Sequence, residues 1–336
     1  MLMSLVYRMV DGVLQSDTAE PSQPGPDEVL VEVEASSLNY RDIAIRAGFY
    51  PSRSGVIPLS DGAGKIVEVG AAVSDLKAGQ QVTSCFYPFW ESGPASATNH
   101  RATVGCDLDG MLTKFVTLPA SAWIPTPKHM SSLEASTLPC AALTAWAALF
   151  TRGGLRPGQH VLIQGTGGVA VFAIQLAKAV CANVTVISSS DEKLARATEL
   201  GSDFGVNYTE FPEWDKKVID EVGQEEIDLV IELGGAQTLQ KSLNCLKVGG
   251  RVSMIGVLSG NEVSMSVSAV LAKWIAIQGI TVSHREDFLS MNRFLETQRL
   301  RPIIDTVLPL SDAQVAYDEL PRGHHFGKLV LDHATG

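Results

Sequence analysis

The amino-acid sequence predicts an α/β protein in which a doubly wound parallel sheet accompanies a second, β-rich domain. From about Ser131 onward, apolar strands alternate with helical segments, and this alternation demands a parallel sheet covered by helices on both faces. The first ~120 residues instead alternate apolar and polar positions and are interrupted by Gly, Pro and Asp, as short half-buried strands are. A chain of 336 residues is long enough for two domains.

Composition and charge limit the expected partners and compartment. Lys and Arg total 26 against 37 Asp and Glu, which gives a net charge of −11, and no long basic run occurs. We therefore expect neither nucleic acid nor membrane as a partner. The five cysteines are scattered without a C-x-x-C pair, and the first residues lack the charged and apolar regions of a signal peptide. These features predict a soluble protein of the reducing cytoplasm.

The elements of the β-rich part and the start of the helical part follow from local pattern. Residues 29–35 and 65–69 alternate apolar and polar side chains and predict two strands. Residues 134–150 are rich in alanine and predict a helix. The turn Arg156-Pro157-Gly158 then leads into a buried strand at residues 161–163.

A glycine-rich turn follows that strand and opens a helix. Its residues are Gly165, Thr166, Gly167, Gly168, Val169 and Ala170. They match the dinucleotide-binding pattern G-x-G-x-x-(G/A), in which the glycines permit a tight turn and close approach of a pyrophosphate. Apolar residues then recur every three or four positions up to Val180, as in a helix packed on a sheet. The alternative is an ordinary glycine-rich turn between a strand and a helix.

Further strands and helices alternate along the second half. Residues 183–188 predict a strand, Ser189 and Glu192 have the spacing of a capping box, and the helix they begin ends near Gly201. A buried strand at 227–231 leads to Gly234 and Gly235. A helix through Leu239, Leu243 and Leu246, a strand at 250–256 and a final strand at 328–331 complete the predicted elements. We expect the final strand to return to the first domain.

The residues after the second strand of the parallel sheet indicate which dinucleotide binds. In such sheets an acidic residue about 20 positions after the glycines accepts hydrogen bonds from the adenosine ribose. Here Ser188, Ser189 and Ser190 occupy that place, and Lys193 follows one helical turn later. Hydroxyls and a cation suit a 2′-phosphate, so we predict NADPH rather than NADH. The serines are alternatively a helix cap, and the nearby Asp191 favours NADH.

Several motifs in register resemble those of the medium-chain dehydrogenase/reductases across nearly the whole chain. They are Leu38-Asn39-Tyr40-Arg41-Asp42, the segment 61–70, the glycine turn at 165–170 and the ending Phe326-Gly327-Lys328-Leu329-Val330. The resemblance implies a GroES-like catalytic domain from residues 1–124 and 276–336, and a Rossmann domain from 125–275. It also implies an active site in the cleft between them and a homodimer.

The resemblance makes the presence of zinc a question of particular residues. Zinc alcohol dehydrogenases of the family place a cysteine where this chain has Asn39 and a His-Glu pair where it has Ser60-Asp61. Only Cys140 aligns with a ligand, and we interpret it as a small buried residue, because one thiolate does not hold zinc tightly. Cys106 is the only cysteine in residues 88–107, so a structural zinc lobe, which would need four, is not expected. Arg41 stands at the hydroxyl relay position. We predict no metal ligands.

The chain is then similar to the metal-free branch, the quinone oxidoreductases and 2-enoyl reductases. That resemblance makes Tyr50 a candidate proton donor and Asn39 an amide that orients a substrate or cofactor carbonyl. The alternatives are a packing aromatic and an asparagine that stabilises a turn. Asp42 is expected to be structural, pairing with backbone, Arg41 or Arg46.

Cofactor contacts carried over from the family complete the predicted site. They are Thr144 and the backbone of Ile255, Gly256 and Val257 at the nicotinamide end, Gly234, Tyr208 near the adenosine phosphate, and Lys328. Tyr208 and Lys328 are equally compatible with surface positions. The aromatic segment 86–91 either lines a substrate pocket or packs a shortened lobe.

These observations predict an NADPH-dependent reductase of α,β-unsaturated carbonyl compounds or quinones that works without zinc on a small-molecule substrate. Two alternatives stay open. One is an alcohol dehydrogenase with a degenerate zinc site around Cys140. The other is a protein that binds NADPH without efficient catalysis.

Overall fold

The computed structural model describes residues 3–334. They form two compact units, one made of residues 3–143 together with 283–334 and the other of residues 144–282. The second unit is therefore inserted, as one continuous stretch of chain, within the sequence of the first.

Fifteen strands are present among the described residues. In chain order they are β1 (Ser4–Val10), β2 (Val13–Ala19), β3 (Glu28–Ser37), β4 (Asp61–Val69), β5 (Gln81–Ser84), β6 (Phe115–Pro119), β7 (Trp123–Pro125), β8 (His160–Gln164), β9 (Asn183–Ser188), β10 (Phe204–Asn207), β11 (Ile227–Glu232), β12 (Leu246–Met254), β13 (Ala276–Gly279), β14 (Ile304–Pro309) and β15 (Lys328–Asp332).

The helices of the same residues are mostly short. The α-helices are α1 (Tyr40–Arg46), α2 (Ser132–Ala135), α3 (Leu143–Trp146), α4 (Gly168–Ala179), α5 (Asp191–Glu199), α6 (Trp214–Val222), α7 (Leu239–Cys245), α8 (Val267–Ala272), α9 (Arg285–Gln298) and α10 (Ala313–Glu319). Two π-helical turns, Leu138–Ala142 and Ala147–Thr151, flank α3. Single 3₁₀ turns occur at Ala120–Ala122, Leu310–Asp312 and Leu320–Arg322.

The unit of residues 144–282 is built on a six-stranded parallel sheet in the order β10-β9-β8-β11-β12-β13. The chain order of the strands reverses between β8 and β11, which is the arrangement of a Rossmann fold. Every residue of β8 is buried, and so is every residue of β9 after Asn183, because helices cover both faces of such a sheet. The predicted doubly wound parallel sheet is confirmed.

The other unit is β-rich. Its main sheet has the order β14-β15-β3-β4-β5-β7. β6 pairs with residues 28–32 of β3, whereas β15 pairs with residues 35–37 of the same strand. β1 and β2 form a separate hairpin. The C-terminal strand β15 lies antiparallel to β3, with Val330 opposite Ser37. Its predicted return to the first part of the chain is confirmed. Trp123, Tyr317 and Leu329 belong to the core that this sheet encloses.

Two local predictions are wrong by one residue. Ser190, not Ser189, caps α5, and its hydroxyl accepts from the Lys193 N–H. Leu246, expected in a helix, begins β12, where it pairs with Ile227. The helical prediction for residues 134–150 is confirmed for most of the segment, which is divided into α2, α3 and the two π-helical turns.

Candidate active site

The glycine turn joins β8 to α4 in the inserted unit. Gly165 has φ +76°, which a residue with a side chain adopts only with strain, and its N–H donates to Ile187 O at 2.7 Å. Gly167 is the N-cap of α4, and Gly168 is its first residue. The first N–H groups of a helix have no acceptor within the helix, so they can bind an anionic phosphate. Thr166 is buried in the turn, and Val169 follows in the first helical turn.

A buried polar network lies at the carboxyl ends of β8 and β11, where the strand order reverses. Gln164 Nε2 donates to Glu232 Oε2 at 2.7 Å and to Ser242 Oγ at 2.8 Å. The hydroxyls of Ser242 and Thr238 each donate to Glu232, at 2.5 Å. Glu232 is fully buried. In parallel α/β sheets this position is where ligands bind.

The same two side chains hold the loop that follows β11. Gln164 Oε1 accepts from the N–H of Gly234 at 2.9 Å, and Glu232 Oε1 accepts from Gly234 at 3.0 Å and Gly235 at 2.9 Å. Gly235 has φ +91°, and a Cβ there would meet Gly260 O at 2.5 Å. The network therefore fixes a loop whose backbone cannot accept a larger residue.

Three of the predicted nicotinamide-end residues, Ile255, Gly256 and Val257, lie beside this loop. The N–H groups of Ile255 and Gly256 donate to Glu232 O at 2.9 and 3.2 Å. A Cβ on Gly256 would meet Leu233 O at 2.2 Å, so the two loops are in close contact. Val257 is 53% exposed. Thr144, in α3 of the same unit, is buried.

The residues predicted for the adenosine end meet at the carboxyl ends of β9 and β10. Ser188 is buried, and its carbonyl accepts from Tyr208 N at 3.0 Å. Ser189 and the Tyr208 side chain are exposed, and Lys193 lies in the first turn of α5. The Asp191 carboxylate accepts a hydrogen bond from Asn207 Nδ2 at 2.9 Å. The structure therefore places Ser188, Ser189 and Tyr208 at the carboxyl ends of two neighbouring strands, and Lys193 in the helix that follows the first of these strands.

In the β-rich unit, Lys328 and Asn39 are directly hydrogen-bonded. Lys328, the first residue of β15, is 3% exposed, and its ammonium donates to Asn39 Oδ1 at 2.6 Å and to Leu38 O at 2.5 Å. Lys328 is thus a buried partner of Asn39 and does not occupy the surface position considered as one alternative. Its contact with a cofactor stays a prediction.

Asp61 and Cys140 belong to the same buried region. Asp61 Oδ1 accepts from Ser60 Oγ at 2.6 Å, and Asp61 Oδ2 accepts from the Cys140 backbone N–H at 3.1 Å. That N–H lies in the first π-helical turn, a local widening that is frequent at functional sites. Asp61 is fully buried.

Asp42 anchors the start of α1. Its Oδ2 accepts from Asn39 N at 2.8 Å, and its Oδ1 lies 3.9 Å from Arg41 Nη1. Arg41 also donates to Val104 O and lies 4.5 Å from the Phe86 ring centre. The structural role expected for Asp42 is confirmed for its backbone contact and for Arg41, whereas Arg46 pairs with Asp318 instead.

Burial dominates the ionisation of these groups. It raises the pKa of Asp42 to about 6 and raises the pKa of Asp61, in both cases against a lowering effect of the nearby cations. Burial likewise lowers the pKa of Lys328, which Asp61 opposes. The pKa of the Cys140 thiol is raised by burial and by Asp61. Cys140 is accordingly a neutral thiol at pH 7.

The donor set of this region does not fit a zinc ion. Asn39 Oδ1 is occupied by Lys328, and Ser60 donates its hydroxyl to Asp61, so the two positions aligned with further ligands offer neither a thiolate nor an imidazole beside Cys140. Within residues 3–334, no three His, Cys, Asp or Glu side chains are grouped so that they could hold a metal ion. Zinc sites need three or four such ligands, deprotonated where they are cysteines.

Tyr50 lies in the loop after α1 and is 51% exposed. No hydrogen bond among the described residues joins it to Asn39 or Lys328. The aromatic segment at 86–91 mainly packs. Phe86, Tyr87 and Trp90 are buried in edge-to-face contacts, while Phe89 remains partly exposed beneath Arg101.

Gln164, Glu232 and Asp61 are parts of the site that were not predicted from the sequence. A usable signal was present for Gln164 and Glu232, because each is a polar residue that directly follows three buried apolar residues at the end of its strand. Buried polar residues of this kind need partners. Their pairing, across 68 residues of sequence, carried no local signal.

Comparison with known proteins gives matches to both parts of the chain. Residues 25–128 match the alcohol dehydrogenase GroES-like domain, and residues 168–297 match the zinc-binding dehydrogenase family. A zinc-type alcohol dehydrogenase-like protein of Schizosaccharomyces pombe is 39% identical over 93% of this chain and 92% of its own.

Two further matches extend over nearly the whole chain. The acryloyl-coenzyme A reductase of Sulfurisphaera tokodaii is 27% identical, over 92% of this chain and 93% of its own. A crystal structure of an NAD-dependent alcohol dehydrogenase has a TM-score of 0.89 and 30% identity, covering 98% of this chain and 99% of that one. In the part of the chain that the structure describes, no helix is long and apolar enough to cross a membrane.

Proposed function

The chain belongs to the medium-chain dehydrogenase/reductase superfamily, and from this premise we propose that it is an NADPH-dependent reductase of α,β-unsaturated carbonyl compounds or quinones that works without zinc. Its relatives are oxidoreductases of the alcohol dehydrogenase type. The observation that carries the proposal is the hydrogen bond from Lys328 to Asn39. Asn39 stands at a position aligned with a zinc ligand, and its amide oxygen already accepts from Lys328.

The proposed chemistry needs a hydride, a donor for the developing oxygen charge and a proton. NADPH supplies the hydride. Tyr50 is an exposed phenol and is the proposed proton donor to the carbon next to the carbonyl group. Asn39 is the proposed orienting amide. Alcohol oxidation is less well supported. Arg41, at the relay position, pairs with Asp42 and the Val104 carbonyl, and its guanidinium has no acceptor atom that could take the proton of an alcohol.

Among conjugated substrates, an enoyl thioester has support from the similarity to acryloyl-coenzyme A reductase. The second candidate function is alcohol oxidation, which the similarity to the zinc-type relative favours. The two differ in metal requirement as well as substrate.

NADPH is proposed over NADH because of the side chains at the end of β9. Ser188 and Ser189 carry no charge that would repel a 2′-phosphate, and Lys193 is one turn away. Asp191, the group that favours NADH, is engaged by Asn207. The name of the NAD-dependent structural neighbour makes NADH the alternative to test.

We also propose a homodimer in the cytoplasm. The edge strand β13 offers unpaired backbone groups, and Val267, Leu271 and Trp274 beside it are 63%, 70% and 82% exposed. The five cysteines are free thiols, in keeping with a reducing compartment. Light scattering of the eluting protein, with Trp274→Glu as the variant expected to be monomeric, tests the assembly.

The function is tested by following NADPH oxidation with a panel of enals, enones, enoyl thioesters and quinones. Metal analysis is done on the same preparation, and a Cys140→Ser variant is assayed beside it. We expect turnover of at least one conjugated substrate class, less than stoichiometric zinc and an unchanged rate in the variant. Stoichiometric zinc with turnover of alcohols alone would identify the second candidate instead. No oxidation with any substrate would indicate a binding protein.

A further inference from the structure

Four charged side chains form what we call the internal charge cluster: Arg41, Asp42, Asp61 and Lys328. The two carboxylates and Lys328 are almost completely buried, and Arg41 is partly buried. Lys328 lowers the pKa of both carboxyl groups, and both carboxylates raise the pKa of Lys328 against the effect of burial. They therefore act as one electrostatic unit, although they come from β4, β15 and the start of α1.

The hydrogen bonds assign the charges. Lys328 only donates, to Leu38 O and Asn39 Oδ1, as an ammonium does. Asp61 only accepts, from the Ser60 hydroxyl and the Cys140 N–H, as a carboxylate does. With Asp42 ionised at pH 7 and Arg41 positive, two cations balance two anions. Cys140 adds no charge.

This balance leaves no place for a divalent cation. Adding Zn²⁺ would give the buried cluster two excess positive charges unless Cys140 and Lys328 both lost protons. It would also compete with Lys328 for Asn39 Oδ1. Uncompensated buried charge is strongly unfavourable. We propose that the Lys328 ammonium serves as the internal cation of this site, in the place that a metal ion would otherwise take.

The Lys328 ammonium also fixes the orientation of the Asn39 amide. Because an ammonium cannot accept a hydrogen bond, the amide oxygen must face Lys328 and the nitrogen must point away from it. Asn39 Nδ2 is buried and has no hydrogen-bond partner among the described residues, and the Asn39 side chain lowers the pKa of Asp61. Lys328 is thus a positioning residue for Asn39, an assignment that rests on the role proposed above for Asn39.

The first experiment is zinc uptake, which needs no enzymatic assay. Purified wild-type protein and Cys140→Ser are incubated with equimolar zinc chloride, freed of unbound metal and analysed. We expect less than ~0.1 equivalent in wild type. One equivalent that is retained by wild type and lost from Cys140→Ser would overturn the proposal.

The second experiment removes the internal cation. Lys328→Met should lower Tm by about 10 °C or more, because Asp61 is left without its counter-charge. Lys328→Arg, which keeps the positive charge, should lower Tm much less. The exposed Lys77→Met is the matched control and should behave as wild type. If Lys328→Met does not fold, Lys328→Met/Asp61→Asn, which removes both charges, should fold and recover most of the lost Tm.

Zinc then distinguishes a cation site from ordinary packing. Zinc chloride should raise the Tm of Lys328→Met by several degrees, should not raise that of wild type, and should not raise that of Lys328→Met/Cys140→Ser. An equal zinc response in wild type and Lys328→Met would contradict the proposal, and so would no response in a folded Lys328→Met. These readouts hold even if no reductase substrate is found, so the proposed function can fail separately.

Discussion

The Gln164 amide and the Glu232 carboxylate meet at 2.7 Å where the strand order of the parallel sheet reverses. Between them they accept from the backbone N–H groups of the loop that follows β11. Neither side chain is free to turn, because Ser242 and Thr238 saturate the remaining oxygen positions. The proposed nicotinamide end of the site therefore depends on the Gln164–Glu232 pair, which holds the first residues of the loop.

Glu232→Gln tests this pair. The new NH₂ group faces the Gln164 NH₂ and the Ser242 hydroxyl, so donors oppose donors and at least one buried group loses its partner. We expect unfolding in urea to require roughly 2–3 kcal/mol less free energy and the KM for the nucleotide to rise. The exposed Glu226→Gln is the control and should change stability by less than about 0.5 kcal/mol. A Glu232→Gln protein as stable as the control would show that the pair contributes little.

Lys193→Glu tests the cofactor assignment. Reversing the charge beside Ser188 and Ser189 should raise the KM for NADPH about 10- to 100-fold, the equivalent of one lost charge-assisted hydrogen bond. The KM for NADH should change much less. Lys216→Glu, an exposed charge reversal on α6, is the control. If Lys193→Glu changed the KM for both nucleotides equally, Lys193 would not be a source of a preference for NADPH.

Tyr50→Phe tests the proton donor. Loss of a general acid should lower kcat for an enone or enoyl thioester about 100-fold, whereas quinone reduction should be affected less, because its product oxygens can be protonated by water. Tyr40→Phe is a matched control, since Tyr40 and Tyr50 are both 51% exposed. Undiminished turnover of an enone by Tyr50→Phe would exclude the phenol from the mechanism.

His333 predicts a loss of stability in mild acid. Its ring nitrogens are hydrogen-bonded to Thr113 O and Ser36 Oγ, and because a carbonyl only accepts, Nδ1 carries the proton and Nε2 accepts. Burial, assisted by Lys114, lowers the pKa of the folded ring from 6.5 to about 3. Below pH 6.5 the unfolded chain takes up a proton that the folded protein does not, so stability falls as the pH falls towards 3.

The size of this effect follows from the interval. Between pH 7 and pH 5, His333 lowers the free energy of unfolding by about 2 kcal/mol. Urea unfolding at the two pH values should show that wild type loses about this much more stability than His333→Gln, which cannot take up the proton. The comparison also cancels the carboxylates, including Asp42, whose raised pKa acts in the opposite direction. Identical losses in the two proteins would place the His333 pKa near its ordinary value.

Local pattern was sufficient for most of the inserted unit. Residues 183–188 were predicted as a strand and form β9, because a buried parallel strand leaves an uninterrupted apolar run. Local pattern was insufficient where strand pairing or backbone conformation determines the element to which a residue belongs. Leu246 has the spacing of a helical residue, but its position opposite Ile227 places it in a strand. The serines at 188–190 all have the chemistry of a helix cap, and only the backbone selects Ser190.

The site was less predictable than the fold for a physical reason. Asn39 was recognised from its motif, but its partner Lys328 lies 289 residues away, and nothing in either segment specifies the hydrogen bond. Lys328 had been assigned to the cofactor on the same evidence. Buried charges reveal their roles only when their counter-charges are located.

The pairing of β15 with β3 also sets the order in which this protein can be completed during synthesis. Leu38 leaves the ribosome 290 residues before Lys328, an interval on the order of 15–60 s at ~5–20 residues per second. The inserted unit is continuous and can finish folding within that time. Until the last residues emerge, β3 keeps an open edge available to other chains, so the nascent protein is most exposed to aggregation when its inserted unit is already complete.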